Sequence, residues 1–372
     1  MDQAIRSCHM PNDQEAVPDR LQFLTHIRRA ASRRWLPWVG ALIGIGALVW
    51  VLGRFDLDRF LILLASADIR LLALVPVALM AEQLVRAWKW RQILHLLRPD
   101  ISVLRLFGAI MAGYLLAILV PFGFGTVARS WLVARSENLP LASVLPTVAI
   151  DRLTDGMVFA CLVPIALATV AFADPSGGIR AGLIWGGAGS FALFVVLGLA
   201  LAAYRRDALT SNGRLVRLSE RLPDLVAPLL RRIVPSIAEG IAWPREAWRG
   251  VGIVLAAVLI KLLAATNFLW AGLALGITLQ PAQYLFLLVF LGFLVILGHF
   301  ARVAGTFVLG SVFALGLLDV PAEPALAMAL IVEAANLLSV ACVGAFSLWR
   351  QGVGLVDVRM EMGAEQRDGE TR

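Results

Sequence analysis

Lysine occurs only twice in the 372 residues, at Lys89 and Lys261, and charged residues of all kinds are 16% of the chain. Soluble domains carry about 25%. Cysteine is as scarce. Of the three cysteines, Cys8 falls in a polar N-terminal stretch, while Cys161 and Cys342 fall in apolar runs. No CxxC or Cys/His spacing joins them, so neither a disulfide framework nor a metal site is predicted. The four histidines (His9, His26, His95 and His299) are scattered. A lone His299 at a membrane edge reads as structural. No GxxxxGK[ST] stretch exists, which excludes a P-loop nucleotide hydrolase. The sequence calls for no cofactor.

Apolar side chains are abundant. They make up 59% of the residues, and the mean hydropathy is +0.80. They come in runs near the ~20 residues that cross ~30 Å of hydrocarbon. The sequence predicts an all-α polytopic membrane protein. A net charge of +7 suggests nucleic acid at first sight. However, the basic residues cluster at the ends of apolar runs, as the positive-inside rule expects, and no nucleic-acid motif accompanies them. The expected location is a bacterial-type inner (plasma) membrane.

Residues 1–34 are polar and end in Arg28, Arg29, Arg33 and Arg34. They read as a cytoplasmic tail ahead of an uncleaved span at about 35–53. A second span runs from about Leu71 to Leu94. Its closing run Arg86-Ala87-Trp88-Lys89-Trp90-Arg91 is either a cytoplasmic interface belt or a site for an anionic headgroup. Later spans are expected at about Leu141–Phe172, Ala181–Tyr204, Val251–Gly276 and Ala325–Trp349. Residues 35–349 form one transmembrane domain, and 350–372 form a second cytoplasmic tail. Arg205–Arg249, with nine arginines against five acids, is a cytoplasmic segment. It reads as an amphipathic helix on the membrane, broken near Pro223, Pro228 and Pro235, or as a loop folded onto the bundle.

Two stretches are broken. Leu104–Val120 climbs to Pro121, breaks across Gly123 and Gly125-Thr126, and returns carrying Arg129. Tyr284–Gly298 is interrupted by His299–Thr306, which includes Arg302, Gly305 and Thr306, and returns as Phe307–Leu318. Full crossings would put Arg129 and Arg135 outside, against the charge rule. Re-entrant hairpins avoid this, and irregular backbone at membrane depth is tolerated when buried in protein or lining a wet cavity. The count becomes six crossings and two hairpins with both termini inside. Each break carries Gly-Thr, then a Leu-Pro or Val-Pro step (Leu139-Pro140, Val320-Pro321), then a span with an acid. The first hairpin dips from inside and the second from outside, which is the pattern of an inverted repeat.

Charge inside spans is expensive, about 2.5–3.5 kcal/mol per residue on insertion scales. Asp151, Arg152, Asp155, Lys261 and Glu333 lie inside spans, and Arg129 and Arg302 lie in hairpins. Asp151 and Asp155 share a helix face, and Arg152 can pair with Asp155. Such a set is either a neutral knot that fixes helix packing or part of a polar pathway. Guanidinium groups beside free glycine N–H groups at broken-helix ends suit a phosphate. The pathway would then admit an anionic or zwitterionic lipid headgroup.

These residues carry a resemblance. Pro121…Gly125-Thr126-Val127-Ala128-Arg129, Asp151-Arg152…Asp155, and Ala304-Gly305-Thr306 with Glu333 downstream resemble the lysylphosphatidylglycerol synthase transmembrane, flippase-like family over about residues 36–349. The resemblance implies a bundle with re-entrant helices that moves lipids or lipid-linked molecules between leaflets. Arg129 matches the arginine of the family's Gly-Glu-x-x-Arg pattern, Arg152 and Asp155 its Arg-x-x-Asp pattern, and Gly305 the glycine of its Pro-Gly break. Thr126 stands where the family has glutamate and Ala304 where it has proline. Val308, Leu309 and Gly310 occupy the place of an acid. No soluble aminoacyl-transfer domain is expected. The competing expectations are a non-catalytic partner of a lipid-biosynthesis complex acting through Arg205–Arg249, and an intramembrane enzyme using Asp151 and Asp155. A homo-oligomer is compatible with all three.

Overall fold

A computed structural model describes residues 65–119, 124–208, 227–241, 246–301 and 305–351, with 62, 210, 243 and 244. The expected first span, the 1–34 tail, Gly123, Arg302, the leucine-rich part of 205–249 and the tail from 352 lie outside the described residues. The described residues form ten α-helices: α1 (Ile69–Leu94), α2 (Val103–Leu119), α3 (Phe124–Glu137), α4 (Leu141–Thr169), α5 (Gly178–Ala208), α6 (Ala227–Gly240), α7 (Ala247–Ala274), α8 (Pro281–Ala301), α9 (Thr306–Gly316) and α10 (Ala322–Arg350). Of these, α1, α5, α7 and α10 are long and apolar enough to cross a membrane. α4 reaches 29 residues with Asp151, Arg152 and Asp155 in its first half.

Proline and glycine set the boundaries. A residue with positive φ follows both helices, Asn138 (52°) directly after α3 and Asp319 (61°) three residues after α9. The next N–H reaches back five residues in each case, Leu139 N to Ala134 O (2.9 Å) and Val320 N to Leu315 O (3.1 Å). This is the bond that satisfies the last carbonyls of a helix in a Schellman-type cap. Pro140 and Pro321 follow as the N-caps of α4 and α10. Both pairs of matching cap residues are 181 apart (319 minus 138, 321 minus 140). The same shift carries α1–α4 onto α7–α10.

The packing follows that register. α1 and α7 run antiparallel, joined at one end by Asp68 N to Ala274 O (3.0 Å) and at the other by Arg249 Nη1 to Gln92 Oε1 (2.8 Å). α2 packs on α3 and α10, and its counterpart α8 packs on α9 and α4. α2 and α3 form an antiparallel hairpin whose close approach depends on glycine. A Cβ at Gly125 would stand 2.5 Å from the Gly113 carbonyl oxygen and 2.6 Å from the Ala117 Cβ. Small residues four apart permit such helix contacts. Arg105 and Arg98 clasp the open end through Glu137, at 2.7 and 3.4 Å. α8 and α9 form the second hairpin, with Phe290 stacked on Phe313 at 5.8 Å. Its open end lies beside Ala173, whose N–H bonds Leu317 O at 3.1 Å. The hairpins therefore open toward opposite ends of the bundle.

α5 and α6 stand outside this pairing. α5 packs mainly on α4 and α6 and leaves Trp185, Leu193 and Val196 exposed. The Asp174 carboxylate ahead of it accepts from Arg180 N at 2.8 Å, and that backbone N–H holds its carboxyl below the usual range. α6 packs on α4 and α5, and Pro235 sits inside it without ending it. This part of 205–249 is folded onto the bundle, which favours the second of the two expectations for that segment.

Candidate functional site

The centre of the bundle holds a buried ion network. Lys89 of α1 is fully buried. Its ammonium lies 3.0 Å from Asp151 Oδ1 and 2.5 Å from Asp155 Oδ1, and it donates to the Asp151 carbonyl at 2.9 Å. Arg86, one turn earlier, reaches Asp155 at 2.7 Å and Glu82 at 3.2 Å. From α3, Arg129 reaches Asp151 at 3.4 Å and lies 5.1 Å over the Trp90 ring. Trp90 is fixed in turn by its indole N–H bond to Thr147 Oγ1 at 3.0 Å. Three cations thus meet three carboxylates, and the network is neutral as a unit. Arg129 keeps Nε and Nη1 without acceptors among the described residues.

Beside the network lies a cavity of about 800 Å³. Arg86 and Asp155 form its border with the network. Its apolar walls come from Leu79, Phe159, Phe194, Phe268 and Phe307, and its polar lining includes Arg152, Ser190, Lys261, Asn267, Glu333 and Asn336. Lys261 has no ion pair among the described residues, and its ammonium lies 5.6 Å over the Phe159 ring. No ion pair is formed by Arg152 or Glu333 either, among the described residues. The buried Asn267 Oδ1 accepts no hydrogen bond among the described residues. The 181-residue register pairs Arg86 with Asn267, Arg152 with Glu333, and Asp155 with Asn336. All six line the cavity, which therefore sits between the two four-helix sets.

Of the residues singled out in the sequence, Arg129, Asp151 and Asp155 come together in the network. Arg152, Lys261 and Glu333 come together around the cavity, joined there by Asp155. The expected Arg152–Asp155 pair does not form, because Arg86 and Lys89 occupy both oxygens of Asp155. Gly125 is the α2–α3 contact, and Thr126 is exposed. Gly305 holds φ 76° as the cap of α9, and Thr306 opens that helix. Gly123 and Arg302 are outside the described residues. The Arg86–Arg91 run is not simply an interface belt, since Arg86, Lys89 and Trp90 are buried, the first two paired to carboxylates of α4 and Trp90 under Arg129 of α3. Glu82, Lys89 and Asn267 escaped the sequence reading as members of one site. A usable signal was the i, i+4 spacing of Glu82 and Arg86 within an otherwise apolar helix. Among the described residues, no three His, Cys, Asp or Glu side chains are grouped to hold a metal ion.

Fold and site define a multi-pass helical membrane protein with a polar cavity between two matching helix sets. Residues 38–344 match the family described as the lysylphosphatidylglycerol synthase TM region, and the chain belongs to that family. It is also similar to the protein named glycosyltransferase AglD of Haloferax volcanii, with 27% identity over 278 residues, covering 68% of this chain and 44% of the relative. The chain thus spans less than half the length of that relative. No solved structure matches.

Proposed function

We propose that the protein translocates a lipid, or a lipid-linked molecule, across an inner membrane, with the headgroup passing through the cavity and the acyl chains staying in the bilayer. The observation that carries this is the cavity itself. Arg152 and Lys261 bring two cations and Glu333 one acid, none of them ion-paired among the described residues, inside walls that are largely apolar and otherwise carry Ser190, Asn267, Asn336 and the paired Arg86 and Asp155. Unpaired charge at membrane depth is costly and marks a substrate path. An excess of cation suits a phosphate, and the lone acid suits an amine or hydroxyl on the same headgroup.

The hairpins support the same reading. α3 has 14 residues and α9 has 11, about 21 and 17 Å at 1.5 Å per residue, against about 30 Å of hydrocarbon. Each is too short to cross, and re-entrance from opposite faces makes an inverted repeat, in which broken helices meet near the midplane. One end of the bundle carries Arg91, Arg98, Arg105, Arg249 and Arg350, and the other carries Arg70 and Arg180. The charge rule assigns the richer end to the cytoplasm, and we propose that both termini are cytoplasmic. No covalent step is part of this proposal.

Purified protein in liposomes with headgroup-labelled anionic and zwitterionic lipids and an impermeant quencher tests it. Wild type is expected to expose label at both leaflets. Lys261→Met and Arg152→Gln are expected to stay folded and lose at least tenfold in rate. Wild type indistinguishable from empty liposomes with every lipid would overturn the reading and favour a non-catalytic partner role.

A further inference from the structure

A second cleft, distinct from the central cavity, opens at the arginine-rich end between the start of α2 and the end of α10. Its volume is about 590 Å³. Gly108 forms its floor, where a Cβ would stand 3.2 Å from Ser347 Oγ. Arg105 stands on one wall and Arg350 on the other. Arg105 spends one nitrogen on Glu137 and remains 61% exposed. Arg350 has no ion pair among the described residues. The membrane-side rim is apolar and open at Phe346, one turn deeper than Arg350 on α10 and 56% exposed. Trp349 beside it is 77% exposed, in ring contact with Phe346 at 5.9 Å. Exposed tryptophan at a helix end marks the headgroup level of a bilayer. The cleft therefore puts two cations and a serine at headgroup level, directly above apolar surface at acyl level.

The internal register sharpens this. The 181-residue shift takes Arg105 to Phe286 and carries Thr169 onto Arg350. At that opposite end Phe286 is stacked on Phe172 at 4.6 Å, and the nearby cation, Arg180, lies 5.4 Å over the Phe172 ring. The two ends share a backbone plan, but positions 169 and 286, which match Arg350 and Arg105, carry no charge. The hairpin clasp accounts for one nitrogen of Arg105 through Glu137, and no packing contact of that kind accounts for Arg350 among the described residues.

The geometry points to a binding site for one anionic glycerophospholipid of the leaflet adjoining the arginine-rich end, its phosphate between Arg105 and Arg350 and its chains along Phe346. Basic pockets between transmembrane helices bind headgroups in this way. The site is separate from the translocation path and does not depend on it. The occupant is a resident lipid, and the acidic segment that begins after Gln351 is the competing one.

Native mass spectrometry of the full-length protein, titrated with phosphatidylglycerol or phosphatidylcholine, tests this. All variants carry Lys261→Met so that the central cavity does not contribute. One phosphatidylglycerol is expected to be retained in preference to phosphatidylcholine. Arg105→Gln and Arg350→Gln are each expected to weaken it roughly fivefold, from about 1 kcal/mol per surface arginine. Gly108→Leu, which fills the cleft without changing charge, is expected to lose the same adduct. Retention of that adduct in Gly108→Leu, or equal affinity for both lipids, overturns the assignment. So does an adduct unaffected by either arginine substitution, the result expected if the C-terminal segment fills the cleft.

Discussion

Substituting Lys89→Met removes the one cation that touches both Asp151 and Asp155. Methionine keeps the length of the side chain and fits an apolar surround. What is lost is charge: Glu82, Asp151 and Asp155 then face only Arg86 and Arg129, and the network carries one uncompensated negative charge at 0% exposure. Removing one member of a buried pair costs about 3–5 kcal/mol, because the partner's desolvation is no longer offset. That is about two to three and a half powers of ten in the folded-to-unfolded ratio. The assay is thermal or denaturant unfolding of detergent-solubilised protein, followed by tryptophan fluorescence and size exclusion. Lys89→Met should melt well below wild type. Adding Asp155→Asn to it restores neutrality and should recover a large part of the loss, giving a favourable coupling energy of 1 kcal/mol or more in a double-mutant cycle. If Lys89→Met melts within a degree of wild type, the network does not hold α1 against α4, and the reasoning fails.

Three further substitutions probe backbone and packing. Gly125→Leu drives a side chain into the Gly113 carbonyl and Ala117; overpacking of about 1–3 kcal/mol and displacement of Arg129 should show as a lower Tm together with lost transport. Gly305→Ala forces a left-handed residue at φ 76° and should cost about 1–2 kcal/mol, with Gly305→Asn less damaging in the same unfolding assay. A Cβ at Gly156 would fall 2.1 Å from the Phe194 ring, so Gly156→Ala should loosen α5 from α4 and lower the Tm. Phe194→Ala in the same chain should restore much of the loss, and its failure to do so would place the strain elsewhere.

Much of the architecture is legible in the sequence because membrane helices announce themselves by length and punctuation. The run read from about Leu71 to Leu94 is Ile69–Leu94, and Leu104–Val120 is Val103–Leu119. Both Pro steps mark true caps. The Gly-Thr breaks, however, are 180 residues apart, while the helices and caps are 181 apart, so one extra residue separates the second break from its cap. That single residue hides the register, and with it the pairing of Arg86 with Asn267, from a motif comparison. The Arg86–Arg91 run shows a different limit. A basic, aromatic helix end has the same composition whether it meets headgroups or another helix. The packing of α4, which brings Asp151 and Asp155 to Lys89, decides that this end is buried. The cavity was half legible: Arg152, Lys261 and Glu333 stand out as charges in apolar runs, but nothing local says that they face one space.

The most direct test of the central claim is capture of the occupant inside the cavity. A photo-crosslinking residue placed at Phe194, on the cavity wall, is compared in cell membranes with one at Trp185, exposed on the same helix. A phospholipid adduct is expected at position 194 and is lost with Lys261→Met, while the adduct at position 185 is unchanged by it. Equal lipid capture at both positions, insensitive to Lys261, would contradict it.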